Sequence, residues 1–469
     1  MKKYSREHVD RERFTKPRVL KSRDRIPSYV PFVYLLLVIY GSLIPFDYRP
    51  VPISEIWSRF LDMPYLRLGV ASRADWIANI LLYVPMGFLS VAWMGETARS
   101  TRGKFLCVLV GFLGCSFIAA TIEFLQIFIS PRTVSFNDII AENLGAIVGI
   151  ALWYTIGGRL TQLWRAISAG GREAIDAALV LYALLYLALS LFPFDFLVSL
   201  SELSWKLTTD HYHAFIGGSS CHDLKRCVVT LIAEIIAVVP LGILIGIRSG
   251  GRQSHIFSTA LLCGGTFGII IEVSQFFMAS GVSQGASVLT RILGLGLGLW
   301  LFPSIGGGLF YALRPFLRIS IVCAAVPYFL LVMNLNGWFA QDWVGLEEAL
   351  FKLDKKMFIP FYYHYFSTET RAVSSLLCNA AMYVPIGFGY WAWCFSRRAF
   401  SGSTFIAGLF GGIATALIEI GKLCLSGKHP DFTNILIAAV SAGAAYRITA
   451  WIFHMSLELQ PTSADMHER

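Results

Sequence analysis

Charge is what this sequence has least of. Asp, Glu, Lys and Arg make up 15% of its 469 residues and hydrophobic residues 55%, whereas about a quarter of a soluble domain is charged. That shortfall excludes an ordinary soluble chain. The hydrophobic runs also lack the alternation of apolar and polar residues that a membrane barrel needs. They are continuous stretches of about 20 residues, long enough to cross the hydrocarbon as helices, which satisfy their own backbone groups there. No Walker loop, zincin motif or nucleophile elbow occurs, so no phosphate cradle, zinc protease centre or serine hydrolase site is legible. Seven of the nine cysteines fall in apolar runs without ligand spacing, where cysteine acts as a small hydrophobe. Cys221 and Cys227 lie together near one face and form a candidate disulfide pair. An acidic excess is missing too: the formal net charge is +9. This basic balance concerns orientation in a membrane rather than nucleic acid.

Twelve candidate spans follow, at 29–46, 74–95, 104–130, 138–157, 174–194, 226–247, 256–279, 287–303, 316–335, 372–395, 404–425 and 432–453. The first run ends in "IPFD" without a small-residue cleavage site, so it is kept as a span rather than a signal peptide. Before it lies a basic arm, residues 1–28, with ten Lys or Arg against four Asp or Glu. With that arm cytoplasmic, the short connections holding Arg99, Arg102 and Lys104, then Arg159, Arg165 and Arg172, Arg248 and Arg252, Arg314 and Arg318, and Arg397 and Arg398 all fall inside, as the positive-inside rule requires. The longer mixed loops fall outside. An even number of spans places the tail, 454–469, inside as well.

Internal repetition is the strongest pattern. "NILLYVPMGFL" from Asn79, "EIIAVVPLGIL" from Glu234 and "NAAMYVPIGFG" from Asn379 each place a polar residue six positions before a proline and a glycine two positions after it. "IEFLQ", "IEVSQ" and "IEIGK" then supply Glu123, Glu272 and Glu419, separated by 149 and 147 residues. "LIPFDY" from Leu43 and "LFPFDF" from Leu191 match upstream, with a looser "LNGWF" from Leu335. The expectation is an all-α integral membrane protein of about twelve transmembrane helices, in three parallel four-helix repeats. Their bounds are 29–157, 174–303 and 316–453. An even number of helices per repeat keeps the copies in one orientation.

Polar residues gather at one level of the first repeat. Asp75 and Asn79 share a helical face; Glu123 is placed about 10 Å below the external end of a helix running to Ser130. Ser116, Ala119 and Gln126 lie on its face. Arg132, Ser135 and Asn137 occupy the following turn. Asp138 begins the fourth helix, with Glu142, Gly145 and Gly149 behind it, whereas Asn143 points about 140° away. Asp75, Asn79, Glu123, Gln126, Arg132, Ser135, Asp138 and Asn143 are the candidate ligand-binding set. An isolated charge in a spanning helix costs about 2.5–3.5 kcal/mol, so such residues pair or line a wet cavity. The secondary positions are Glu234, Glu272 and Gln275 in the second repeat and Asn379, Glu419, Lys422, Asp431 and Asn434 in the third.

These residues resemble the VanZ-like family, named for an accessory protein of glycopeptide-resistance clusters. The similarity rests on Asn79 to Phe88, on Glu123 with Gln126, and on Arg132, Ser135, Asp138, Asn143 and Gly145. The second repeat departs from it, with Glu234 for the asparagine and no Asp or Asn in "GVSQGASVLTRILG". The third replaces the glutamine by Lys422 and has no counterpart of Asn143. The resemblance implies a multi-pass protein of the bacterial cytoplasmic membrane linked to envelope biology and antibiotic resistance. It implies no established reaction.

Three readings stay open. The acids and amides bind an amphiphilic envelope ligand, such as a lipid headgroup, a lipid-linked precursor or a glycopeptide, by its amine or hydroxyl donors. Alternatively Glu123 and Asp138 form a general acid/base pair acting on a lipid-linked substrate, though no nucleophile or metal set accompanies them. Otherwise the repeats are a scaffold in an envelope assembly, and the glutamates merely bond helix to helix. No catalytic residue, metal or cofactor is assigned, the partner is the bilayer with its ligand rather than nucleic acid, and the oligomeric state is left open. Glu419 and Lys422, three apart, suit a local ion pair. Pro85, Pro240 and Pro385 serve as packing kinks or hinges. "GLGLG" at 294–298 suits close helix contact, and "YYHYF" around His364 an interfacial aromatic belt. Asp210, His211, His213, His222 and Asp223 make a weak metal pattern that a solvated loop explains equally well.

Overall fold

The computed structural model describes residues 27, 29–65, 69–95, 100–208, 212–213, 224–249, 255–306, 308–397 and 402–458. Outside them lie the basic arm apart from Pro27, the loop residues Asp210, His211, His222 and Asp223, Cys221, Arg99, Arg252, Arg398 and the end of the tail. Cys227 is disulfide-bonded.

The described residues are 80% helical. Its apolar helices are α1 (Tyr29–Leu43), α2 (Val70–Gly95), α3 (Thr101–Gln126), α4 (Phe136–Ala169), α5 (Gly171–Ser190), α6 (Leu224–Arg248), α7 (Ile256–Phe276), α8 (Gly285–Gly306), α9 (Leu317–Leu335), α10 (Glu369–Ser396), α11 (Thr404–Leu423) and α12 (Phe432–Glu458). Among the described residues, 11 are long and apolar enough to cross a membrane; α1 is shorter, at 15 residues. Fifteen residues span about 22 Å, less than the roughly 30 Å of hydrocarbon. The expected span 29–46 stops early because Pro45 follows, and the residue before a proline is pushed out of helical geometry. The expected third span, 104–130, also stops early. α3 ends at Gln126, and Ile129 and Ser130 instead pair with Tyr48 and Asp47 in a two-stranded antiparallel ribbon.

Two compact units divide the chain, Met1–Phe302 and Pro303–Arg469. Local geometries recur within them. The ribbon between the segment after α1 and the turn after α3 has a counterpart after α5 and α7, the antiparallel bridge of Phe196 with Met278. In the second unit Trp343 bridges Leu425 in the same way, after α9 and α11. The upstream match in that unit is therefore not "LNGWF" in strict register. Asp342, whose carbonyl accepts from Ser426 N, stands where the Asp195 carbonyl accepts from Ala279 N, a few residues further along the chain.

Each mid-helix proline has a fixed pair of neighbours. Proline removes a backbone donor and leaves a carbonyl without its helical partner, which hydrocarbon cannot supply. Tyr34, Tyr182 and Tyr328 donate their hydroxyls to the carbonyls of Leu82, Ala237 and Met382 at 2.8, 2.9 and 2.8 Å. Each carbonyl lies three residues before Pro85, Pro240 or Pro385, next to the one four residues before the proline that has lost its donor, so the tyrosine bonds fall at the weakened turn. The glycine two residues after each proline does the complementary job. A Cβ on Gly87, Gly242 or Gly387 would strike the carbonyl of Ala146, Leu295 or Ala442, so α2, α6 and α10 lie backbone-close against α4, α8 and α12. Gly145 and Gly294 make the return contact, on the carbonyls of Ile80 and Ile235. Close packing through small residues is how helices associate in lipid.

Candidate functional site

The end of the first four-helix group that carries the ribbon gathers most of the expected residues. Ser135 caps α4: its Oγ accepts from Asp138 N at 3.2 Å and donates to Asp138 Oδ2 at 2.7 Å. Its backbone N–H, one of the donors that a helix start leaves without an internal partner, is given to Glu123 Oε2 at 3.3 Å. Asn79 Nδ2 on α2 donates to Asp138 Oδ1 at 2.8 Å, and Trp76 Nε1 to the Asn137 carbonyl at 3.1 Å. Three helices thus meet at one carboxyl group and its cap. Glu123 and Ser135 are each 2% exposed, while Asn79 and Asp138 are half-buried and form the rim.

Two expected members face another way. Gln126 Nε2 donates to the Ser42 carbonyl at 2.9 Å, and the Arg132 guanidinium to the carbonyls of Ile44 and Gly41 at 2.9 and 3.0 Å. Both occupy the C-terminus of α1, where carbonyls lack partners and positive charge is favoured. Asn143 is also turned away: its amide donates to the Ile139 carbonyl at 2.7 Å, and its oxygen accepts from Ser116 Oγ. This is the separate contact that its 140° offset on an ideal wheel implies. Asp75 is exposed, one turn before Asn79. Glu123 lies only three residues before the end of α3, about 4.5 Å along the axis, nearer the ribbon than the expected 10 Å.

Two residues complete the cluster without having been in the candidate set. Glu142, one turn into α4 from Asp138, is 3% exposed, and Tyr83 on α2 is fully buried. Tyr83 Oη and Glu142 Oε2 are buried against each other, and neither atom has a partner outside this pair. Glu142 also lies within electrostatic reach of Glu123 and Asp138. Three carboxyls therefore lie within electrostatic reach of one another, with the Arg132 guanidinium also in reach of Glu123, and among the described residues no cation is bonded directly to Glu123 or Glu142. The signal in the sequence was the four-residue step from Asp138 to Glu142, which puts both on one helical face.

The corresponding places further along are filled differently. Gln284 N donates to Glu272 Oε2 at 2.6 Å, and Arg291 Nη1 to Glu272 Oε1 at 2.6 Å. Arg291 also reaches Tyr186 Oη at 3.3 Å. The acid opposite the cap has changed helix: Ser287 and Thr290 of α8 donate to Glu234 of α6 at 3.1 and 2.7 Å. Gln275 repeats the role of Gln126, donating to the Ser190 carbonyl at 2.8 Å. In the Pro303–Arg469 unit, Asp431 N donates to Glu419 Oε2 at 2.9 Å, while Lys422 Nζ and Asn434 Nδ2 approach Oε1 at 2.7 and 2.9 Å. Asn379 Nδ2 turns to Ser375 Oγ at 3.4 Å. His364 Nδ1 lies 3.7 Å from Asp431 Oδ2.

Basic residues in the connecting segments were also missed. Lys206, fully buried, donates to the carbonyls of Gln275, Met278 and Gly281 beyond α7, and Lys352 to Leu425 beyond α11. Arg73 forms a two-pronged bond with Glu202, at 2.5 and 3.1 Å, and holds its carboxyl down to about 2. Among the described residues no group of three His, Cys, Asp or Glu is placed to hold a metal ion.

Helices of this length and composition, with buried polar residues bonded across them, define an all-α, multi-span membrane protein. Residues 25–157 match the VanZ/LLP1 family, and this part of the chain is a VanZ-like domain. No curated protein and no solved structure matches the chain.

Proposed function

We propose that the VanZ-like domain binds an amphiphilic ligand of the bacterial envelope, holding its polar group at the cluster of Glu123, Asp138 and Glu142. The observation that carries this reading is the buried pair of atoms, Tyr83 Oη and Glu142 Oε2, which have no partner beyond each other and stand beside two further carboxyls. A buried polar atom left unbonded costs about 1–3 kcal/mol, a penalty that an incoming donor removes. The half-buried rim of Asn79 and Asp138 gives the polar group its entry, and the surrounding lipid takes the apolar part. The setting belongs to the same proposal: three VanZ-like repeats over 29–157, 174–303 and 316–453, in the bacterial cytoplasmic membrane with both termini inside, so that the cluster opens toward the external face. The recurrent bridges, tyrosine–carbonyl bonds and glycine contacts support the repeats. The short Arg-rich connections support the orientation.

The test is the set of amphiphiles retained when the full chain is purified from membranes in mild detergent. At equal membrane abundance, Asp138→Asn and Glu142→Gln are expected to lose at least one species held by the unaltered protein. Identical retained species in all three proteins would refute the reading.

A further inference from the structure

The three glutamates of the repeating pattern occupy one place in three settings. Glu123, Glu272 and Glu419 each accept, through Oε2, the backbone N–H of the residue twelve positions on, which is Ser135, Gln284 or Asp431. Beside two of them the chain supplies its own cation. Arg291 reaches Glu272 from α8, 19 residues further along, whereas Lys422 reaches Glu419 from within α11, three residues away. The cations differ in residue type and in the helix that carries them, yet each ends within 2.7 Å of its glutamate's Oε1. A positive group at this place is thus met by two independent solutions.

The VanZ-like domain has neither. Three residues after Glu123 stands Gln126, turned to Ser42, and 19 residues after it stands Glu142, an acid where Arg291 carries its guanidinium. The nearby cation, Arg132, is within electrostatic reach of Glu123, but it donates to the carbonyls of Gly41 and Ile44 rather than to the carboxyl. Replacing arginine by glutamate at this position removes the internal cation and adds a carboxyl, whose Oε2 is buried with no partner beyond Tyr83. A substitution that merely emptied the place would have put a small or apolar residue there, as Ala438 does 19 residues after Glu419.

We propose that the VanZ-like domain takes a ligand's ammonium group at the place that Arg291 and Lys422 fill in the other two settings. The proposal rests on the binding reading above and names its chemistry. An alkylammonium is compact and carries three donors and no acceptor, which suits the oxygens of Glu123, Glu142 and Asp138. A hydroxyl brings a single donor and no charge. The same ammonium is offered by an amino-headed membrane lipid and by the free amine of a lipid-linked peptide.

The test titrates the full-length protein in maltoside micelles with dodecylamine and with 1,2-dodecanediol, reading bound ligand by native mass spectrometry and stability by thermal unfolding. Dodecylamine is expected to bind at least tenfold more tightly than the diol, and Glu142→Arg, which installs a cation of the chain's own, is expected to abolish that binding. Glu142→Gln is the second variant should Glu142→Arg not accumulate, and its loss of amine binding supports the proposal equally. Dodecylamine is further expected to restore stability lost in Arg291→Gln, while the diol does not. Equal affinity for both amphiphiles, lost together in the Glu142 variants, overturns the ammonium assignment and leaves the binding reading standing. Binding of neither, or binding indifferent to Glu142, overturns both. Phosphatidylethanolamine in phosphatidylglycerol nanodiscs and an N-palmitoyl-lysine peptide then separate the two sources by which one competes with dodecylamine; competition by neither overturns the assignment.

Discussion

Glu272→Gln and Glu123→Gln remove the same charge from corresponding places, and their costs are expected to differ by more than tenfold in the folded-to-unfolded ratio. Glu272 accepts from Arg291 Nη1 and from Gln284 N, both at 2.6 Å, and the Arg291 and Glu272 side chains are only 4% and 9% exposed. Neutralising the acid leaves a buried guanidinium without its counter-ion. Breaking a buried pair in this way costs about 3–5 kcal/mol, and 1.4 kcal/mol is tenfold, so the ratio falls by roughly 100-fold or more. Glu123 accepts one backbone N–H at 3.3 Å and has Arg132 within electrostatic reach but not bonded to it. A glutamine oxygen can still take that bond, so the loss is bounded by one ordinary hydrogen bond, about 1 kcal/mol, offset by relief from Asp138 and Glu142. The assay is thermal unfolding of detergent-purified protein, followed by the monodisperse fraction on size exclusion. Glu272→Gln combined with Arg291→Met is expected to recover most of the loss, because the stranded charge is gone. Equal losses from the two single variants, or no recovery in the double variant, would refute the claim that only the VanZ-like domain lacks an internal cation.

Other outcomes follow from the packing and the connecting segments. Gly87→Ala puts a Cβ against the Ala146 carbonyl and is expected to cost about 1–3 kcal/mol by overpacking, while Gly114→Ala, with nothing within 4 Å, is expected to be neutral or stabilising by up to about 1 kcal/mol; the same thermal assay compares them. Tyr34→Phe removes the hydroxyl bond to the Leu82 carbonyl near Pro85 and is expected to cost about 0.5–1.5 kcal/mol, with an unchanged Tm counting against the role given to the tyrosines. Arg73 lowers the Glu202 carboxyl from 4.5 to about 2. That contribution is complete above about 4.5, falls as the pH drops, and is gone below about 2. Glu202→Gln is therefore expected to lower the unfolding temperature at neutral pH and to lose its effect near pH 2, and a deficit that persists there would contradict it.

Hydropathy alone located the spans, because a run of about 20 apolar residues has few other fates. It misplaced the ends of α1 and α3, where Pro45 and the Ile129–Ser130 ribbon, rather than a change in polarity, terminate the helices. The glycine after each proline was visible as a spacing, but its cause, the carbonyl of a helix 53–59 residues away, lies in tertiary structure. Tyr34, Tyr182 and Tyr328 were invisible because an aromatic in an apolar run carries no mark of its partner. In the site, Glu123, Ser135, Asp138 and Asn79 were legible as unusual polar residues at one level. The equivalence of Glu142 with Arg291 was not, since a reversal of charge hides a shared position from any reading based on residue type. Both stand 19 residues after their glutamate, and the matching backbone bond twelve residues on makes that register meaningful.

The central claim, that the VanZ-like domain leaves its acids for a ligand, is tested most directly by an electron cryomicroscopy map of the full chain in nanodiscs formed from its native membrane. The account predicts a non-protein headgroup bounded by Glu123, Asp138 and Glu142, with Arg132 still on the carbonyls of Gly41 and Ile44. Arg132, or another cation of the chain, bonded to Glu123 and Glu142 in place of a headgroup would contradict it.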